Sequence, residues 1–331
     1  MHIPTDGVRV PARDIPFPKS ISAEAQAALR RLVNSDGVPL NALHSPPKPD
    51  DLDGWMRFKA DADAQYGCAV AQVAGQLSAS VETMHVGSAT VHIATPAGPV
   101  DEDVVYVDLH GGGLVFGGGK VCRIGAQMQA EQLNLRCWGI DYRTPPEYPY
   151  PAALDDCLAV YRRLLQQYSA NNIVIGGRSA GGNLAAAMVL RARDEGLPLP
   201  SALVLLSPEV DLTESGDSFE LNQLVDVLLP RPLMSYNLLY AAGAALTSPY
   251  VSPLFGDFSQ GFVPTFIQSG TRDLFLSNAV RMHRALRRAG VPCELHVFEG
   301  MPHGGFMGAP EDRELRAEVT RFVHAHLPGQ R

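Results

Sequence analysis

Three places along the chain carry residues whose types and spacing could perform acyl transfer. The first is Gly177-Arg178-Ser179-Ala180-Gly181-Gly182, which follows the apolar run NIVIGG and precedes the helix-forming stretch NLAAAMVLRARDE. A serine held in a strained strand-to-helix turn is presented at a helix N-terminus, and glycines two before and two after it leave out side chains that would collide. The competing reading is a tight turn whose serine only caps the helix. The second place is Asp108-Leu109-His110-Gly111-Gly112-Gly113, again directly after an apolar run. Consecutive glycines bring backbone N–H groups close to a developing oxyanion, so Gly112 and Gly113, joined by Ala180, are the candidate donors. A phosphate-binding glycine loop is the alternative here, but the G-x-G-x-x-G spacing with an acid about twenty residues on is not well met.

The third place supplies a base and an acid. Asp273 stands just after TFIQSG and His303 just after ELHVFEG, giving the chain order Ser, Asp, His that one large group of serine hydrolases uses. Both lie past strand ends, the edge where a parallel sheet holds its ligands. Glu299 is the substitute acid if that register is wrong. Other histidines are poorer bases: His85 and His92 fall on a hairpin, His283 on a helix, and His324 and His326 on a terminal helix. His110, with Gly111, is expected to support the glycine turn. This chemistry requires no metal and no organic cofactor.

Stepping along the chain gives the elements that must position these groups. Short apolar runs at 104–110, 135–142, 172–177, 202–207, 265–270 and 294–300 alternate with helical patterns near 120–134, 151–168, 179–194, 275–289 and 310–326. That alternation predicts an α/β fold with a mainly parallel sheet covered by helices on both faces. VETMHVGSATVHIAT reads as an antiparallel hairpin around Gly-Ser, which brings the sheet to about eight strands. Two helical stretches precede it, one starting at Ser22 and one running from about 50 to 77. The segment 208–248 is too long for an ordinary connection. Residues 1–78 and 208–248 are therefore expected to form a helical cap over the sheet's carboxyl edge, with 79–207 and 249–331 as the core.

Composition bounds the setting. The chain has 331 residues, 46% hydrophobic and 19% charged, ample for a buried core. Its net charge of −8, without a basic run, argues against nucleic acid as a partner. Five scattered cysteines without a C-x-x-C pair suggest free thiols rather than a disulfide framework or a zinc site. No signal peptide or membrane span is recognisable, so a cytoplasmic location is the expectation. Of the 31 glycines, 14 fall at 111–119, 176–182 and 300–308, the three loops that carry the candidate chemistry.

These residues resemble the hormone-sensitive-lipase-like branch of the α/β-hydrolases, of the bacterial carboxylesterase type. The family's H-G-G-G matches His110 to Gly113, its G-[D/T]-S-A-G-G matches GRSAGG, and its Y-R-x-x-P-E stretch matches Tyr142 to Glu147, followed by Pro151-Ala152-Ala153. The similarity spans about residues 80–327. It implies an α/β-hydrolase fold and hydrolysis of short- to medium-chain acyl esters by Ser179, His303 and Asp273, with a lactone or an acetylated sugar as alternative substrates. It also implies that a homodimer is to be expected, since many relatives pair. Plant gibberellin receptors resemble the same family but lack the histidine, and His303 argues against such a binding module. Two departures stand out. Arg178 occupies a position where the family most often has Asp or Thr, and either attracts anionic substrates or pairs with a nearby carboxylate. The family's D-P-L-x-D becomes Asp273-Leu274-Phe275-Leu276-Ser277 here, keeping only the first aspartate.

Overall fold

The alternating apolar runs become one eight-stranded sheet in the computed structural model, which describes residues 7, 8, 10–43, 45–229 and 231–329. The strands are β1 (Ser80–Val86), β2 (Ala89–Thr95), β3 (Val105–Leu109), β4 (Cys137–Asp141), β5 (Ile173–Arg178), β6 (Ala202–Leu206), β7 (Thr265–Gly270) and β8 (Cys293–Phe298). Their order across the sheet is β1-β2-β4-β3-β5-β6-β7-β8. Only the β1–β2 hairpin and the β2–β4 pair are antiparallel. Gly87, at φ 59°, provides the hairpin turn.

The strands between β4 and β7 read as unbroken apolar runs because both faces are covered. Helices α4 (Ala152–Leu164), α5 (Ala180–Asp194) and α8 (Leu276–Arg288) pack one face through Val107, Ile140, Ile175 and Leu205. Helices α3 (Lys120–Leu133) and α9 (Pro310–Ala325) pack the other through Tyr106, Val174, Val204 and Phe266. Residues two apart along a strand share a face, so this division follows from the pleat alone.

Before the sheet come α1 (Ala23–Arg31) and α2 (Leu52–Ala74). Ser22 caps α1 by accepting from Ala25 N–H at 3.1 Å, as expected of that serine, and Asp51 caps α2 through Gly54 N–H at 2.8 Å. The 208–248 segment is less helical than expected. Among its described residues the helices are α6 (Ser218–Leu221) and α7 (Met234–Ala241). Pro208 and Pro232 interrupt it, and much of the remaining backbone bonds to side chains instead of to a helix ladder. Among the described residues, no helix is long and apolar enough to cross a membrane.

Phe266 on β7 is fully buried between the rings of His296 and Phe322, at centroid distances of 4.3 and 5.5 Å. Phe266→Ala is expected to cost about 3–5 kcal/mol through the cavity left between β7 and α9. Chemical denaturation checks this, and a loss below about 1 kcal/mol would mean that the α9 face of the sheet collapses freely.

Candidate active site

At the end of β5 the chain turns sharply into α5, and Ser179 occupies the turn at φ 56°, ψ −122°. Few side chains adopt that backbone, so the flanking residues must leave room. A Cβ at position 177 would lie 2.2 Å from the Gly181 carbonyl oxygen, and one at 181 would lie 1.9 Å from that of Leu109. Both positions therefore require glycine. The Ser179 N–H donates to Leu206 O on β6 at 2.9 Å, fixing the turn to the sheet. Ser179 is 93% buried, yet its Oγ has no hydrogen-bond partner among the described residues and is not sealed from solvent.

Facing it is the glycine loop after β3. Gly112 and Gly113 have φ of 126° and 58°. The Gly112 carbonyl accepts from Val115 and Phe116 N–H, both at 3.0 Å, so the loop curls on itself. Among the described residues, the N–H groups of Gly112, Gly113 and Ala180 have no protein acceptor. His110 lies behind this loop. Its Nδ1–H donates to Gly111 O at 2.8 Å, its ring stacks on Tyr142 at 4.1 Å, and the Tyr142 hydroxyl donates to His110 O at 2.7 Å. Burial holds the His110 imidazole below its usual pKa despite Gly111 O, Asp141 and Asp63 nearby, which suits a neutral structural ring. Tyr142 of the Y-R motif thus braces the loop from beneath. From above, the ring of Tyr236 lies so close that a Cβ on residue 113 would be 3.0 Å from it, and Trp55 and Phe58 of α2 meet Tyr236 edge-on.

His303 Nδ1 lies 3.2 Å from Asp273 Oδ1. Asp273 is fully buried and also accepts from Phe275 N–H at 2.9 Å and from the Ser269 hydroxyl at 2.7 Å. Burial would raise its pKa, but the hydrogen bond and charge of His303, with those two donors, hold the carboxyl below the usual range. The edge of the Phe275 ring flanks the imidazole at 5.0 Å. No hydrogen bond joins Ser179 Oγ to His303 Nε2 here; such contacts commonly close only around substrate. Glu299, the substitute acid, is solvent-exposed and faces Arg272.

Arg178 points to the opposite face of β5 from Ile175 and lies among the carboxylates of Asp312, Asp108 and Asp273. Desolvation lowers its pKa against their pull. Among the described residues none of the three comes within ion-pair distance. The register of β3 on β5 sets Asp108 opposite Gly176, two residues before Arg178 on one face. Burial raises the Asp108 carboxyl to about 7, with Arg178 opposing the rise. Asp312 in turn accepts from the N–H groups of Phe306, Gly308 and Ala309, which shapes the loop that follows His303. Sequence reasoning missed Tyr236, Asp312 and Asp226, a buried aspartate touching the loops of both Asp273 and His303. No catalytic motif marks any of the three.

A serine in a strand-to-helix turn, a backbone donor pocket and a carboxylate-bound histidine at one sheet edge define a serine hydrolase arrangement on an α/β sheet. The family model for the alpha/beta hydrolase fold matches residues 106–307, and the chain belongs to that family, in its hormone-sensitive-lipase-like branch. An acetyl-hydrolase from Streptomyces hygroscopicus is 32% identical over 67% of this chain and 74% of its own. An esterase from Acinetobacter venetianus is 31% identical over 65% and 73%. A crystallised esterase superposes with a TM-score of 0.89 at 35% identity, covering 97% of this chain and 99% of its own. A bacterial esterase of the hormone-sensitive lipase family superposes at 0.79 with 29% identity over 92% and 99%.

The raised carboxyls make stability pH-dependent. Asp108 at about 7 and the buried Glu209 at about 8, raised by burial and by Glu214, bind protons more tightly folded than unfolded. Stability therefore falls as pH rises from about 4 to 8 through these two groups. Asp108→Asn should flatten that fall by up to about 4 kcal/mol, read as the pH dependence of the thermal midpoint. An unchanged slope would mean that Asp108 ionises freely in the native state.

Proposed function

We propose that this chain is a serine-dependent carboxylesterase that hydrolyses short- to medium-chain acyl esters of small molecules through an acyl-enzyme. The observation that carries the reading is the His303–Asp273 hydrogen bond at the same sheet edge as Ser179. A carboxylate can only accept, so Nδ1 carries the proton and Nε2 keeps a lone pair for the serine. His303 takes the Ser179 proton as Oγ attacks the ester carbonyl, and Asp273 stabilises the resulting imidazolium. The N–H groups of Gly112, Gly113 and Ala180 receive the oxyanion, where each donor is worth about 10²–10³-fold in rate. His303 returns the proton to the leaving alcohol, and water repeats the cycle on the acyl-enzyme. No cofactor enters any step.

In this reading residues 1–78 and 208–248 form the cap above the core segments 79–207 and 249–331. Support comes from Trp55 and Phe58 of the first part packing against Tyr236 of the second, directly over Gly113. The name of the acetyl-hydrolase relative supports a short acyl group, and a cyclic ester or acetylated sugar would meet the same groups. Five free thiols, three of them buried, fit a reducing cytoplasm. A homodimer fits the family resemblance, and light scattering tests it.

Ser179→Ala should lower kcat on a short p-nitrophenyl ester by about 10⁴-fold or more and abolish fluorophosphonate labelling. Turnover within a few-fold of the parent protein would remove Ser179 from the mechanism. An acyl series should fall steeply beyond short chains.

A further inference from the structure

The segment that carries α6 does more than cross the sheet edge. Ser218, Asn222 and Asp226 recur at four-residue spacing, are all at least 92% buried, and each bonds to the loop bearing Asp273. The Ser218 hydroxyl donates to Leu274 O at 2.6 Å and accepts from Ser277 N–H at 2.9 Å. Asn222 Nδ2 donates to the carbonyls of Asp273 at 2.8 Å and Thr271 at 3.3 Å. Asp226 Oδ2 accepts from Leu274 N–H at 2.7 Å, while Oδ1 accepts from Leu228 and Leu229 N–H at 3.1 Å. Both Asp226 oxygens also face His303 N–H at 3.3 Å.

Asp226 thus hydrogen-bonds to the acid loop, the base loop and the inserted segment together. The N-terminal part is tied in as well, since Asn41 Nδ2 donates to the Asp226 carbonyl at 2.9 Å. The site carries a cost. Two carboxylates, Asp226 and Asp273, are fully buried near one another, and burial together with the charge of Asp273 raises the Asp226 pKa. Backbone N–H donors around Asp226 offset that cost only if the carboxylate is held where those N–H groups converge. A segment needed merely to roof a pocket would not require it.

We propose that Asp226 is a positioning residue for the hydrolytic reaction, and that the 218–226 edge of the insertion is a fixed clamp that sets the Asp273–His303 pair in register. The clamp acts on the alignment of the imidazole and not on substrate contacts. This inference rests on the serine-esterase reading above. It also divides the insertion in two: the 218–226 edge stays anchored during turnover, and any adjustment to substrate falls on α7, whose Tyr236 covers Gly113.

The test is Asp226→Asn, which keeps the shape but turns an NH2 toward Leu274 and His303 N–H donors. On a short p-nitrophenyl ester, kcat should fall by about 10²-fold, the usual cost of a misplacement near 1 Å, with KM within about threefold. Because Asp226 acts through the same pair, the double variant D226N/D273N should be no slower than D273N by more than about threefold. Asn222→Ala, which adds no unmatched donor, should lower kcat by roughly tenfold with KM unchanged, and serves if D226N does not fold. A folded D226N with kcat within threefold of the parent, multiplying losses in the double variant, or a parental kcat in Asn222→Ala would each overturn the clamp. Ser179→Ala run beside them separates the two readings. Activity surviving there overturns the esterase mechanism itself, whereas loss there with a parental kcat in D226N overturns the clamp alone.

Discussion

The close approach of two turns governs this structure. The carbonyl of Leu109, where β3 ends, occupies the space that a side chain at position 181 would need, and residue 181 lies in the first turn of α5. A Cβ at Gly111 would similarly come 3.2 Å from the Arg178 carbonyl and 3.4 Å from the Ser179 Cβ. The glycine loop and the serine turn are therefore one interlocked object. Neither can be displaced without the other, and Ser179 at positive φ persists because its surroundings leave no alternative. Helix α5 is buried along most of its length, so the strain is held by the centre of the core and not by a surface loop. A site that depends on N–H groups placed to within a fraction of an ångström needs such rigidity.

Around that fixed centre the chain spends its buried charge unevenly. The carboxylates on the α8 side, Asp273 and Asp226, are supplied with N–H and hydroxyl donors. Asp108, on the α3 and α9 side, is treated differently: it has none among the described residues and relies on the field of Arg178. The contrast explains why Asp273 stays ionised while Asp108 is pushed toward neutrality. It also answers the question posed by the arginine before Ser179. Arg178 lies on the face of β5 away from α5, among three aspartates, which favours internal charge balance over attraction of an anionic substrate. Through Asp312, which gathers three N–H groups of the 306–309 loop, that balance reaches the turn carrying His303.

The legible parts of the sequence were those with local causes. Strands such as Thr265–Gly270 are apolar runs between turn residues, and the α1 start at Ser22 is a side chain reaching three residues ahead. The glycine loops were legible because glycine density is itself the signal of close backbone approach. Asp226, Ser218 and Asn222 were opaque for the opposite reason. Their partners lie about fifty residues away, at Thr271, Asp273 and Leu274, and a polar residue in an irregular segment looks the same whether it faces water or a buried loop. The shortness of α6 and α7 has the same origin. Backbone groups there are satisfied by tertiary partners that periodicity does not record.

The way 208–248 is bound bears on the cap role proposed for it. If 208–248 were only a roof, its contacts with the core would be apolar and replaceable, and the acid loop would be complete without it. Instead the Asp273 turn has a short connection to α8, and three side chains of the insertion bond to its backbone. Apart from Phe219, which packs on Phe275, the apolar contacts of this stretch with α2 lie further on, where Leu233, Tyr236 and Leu239 join Trp55 and Val115. Polar bonds are directional and fix geometry, whereas aromatic edge contacts tolerate sliding at little cost. The division of labour follows from that difference. The polar half of the insertion belongs with the rigid interlock beneath it, and the aromatic half is where a family with one chemistry can vary its substrates without disturbing the residues that perform it.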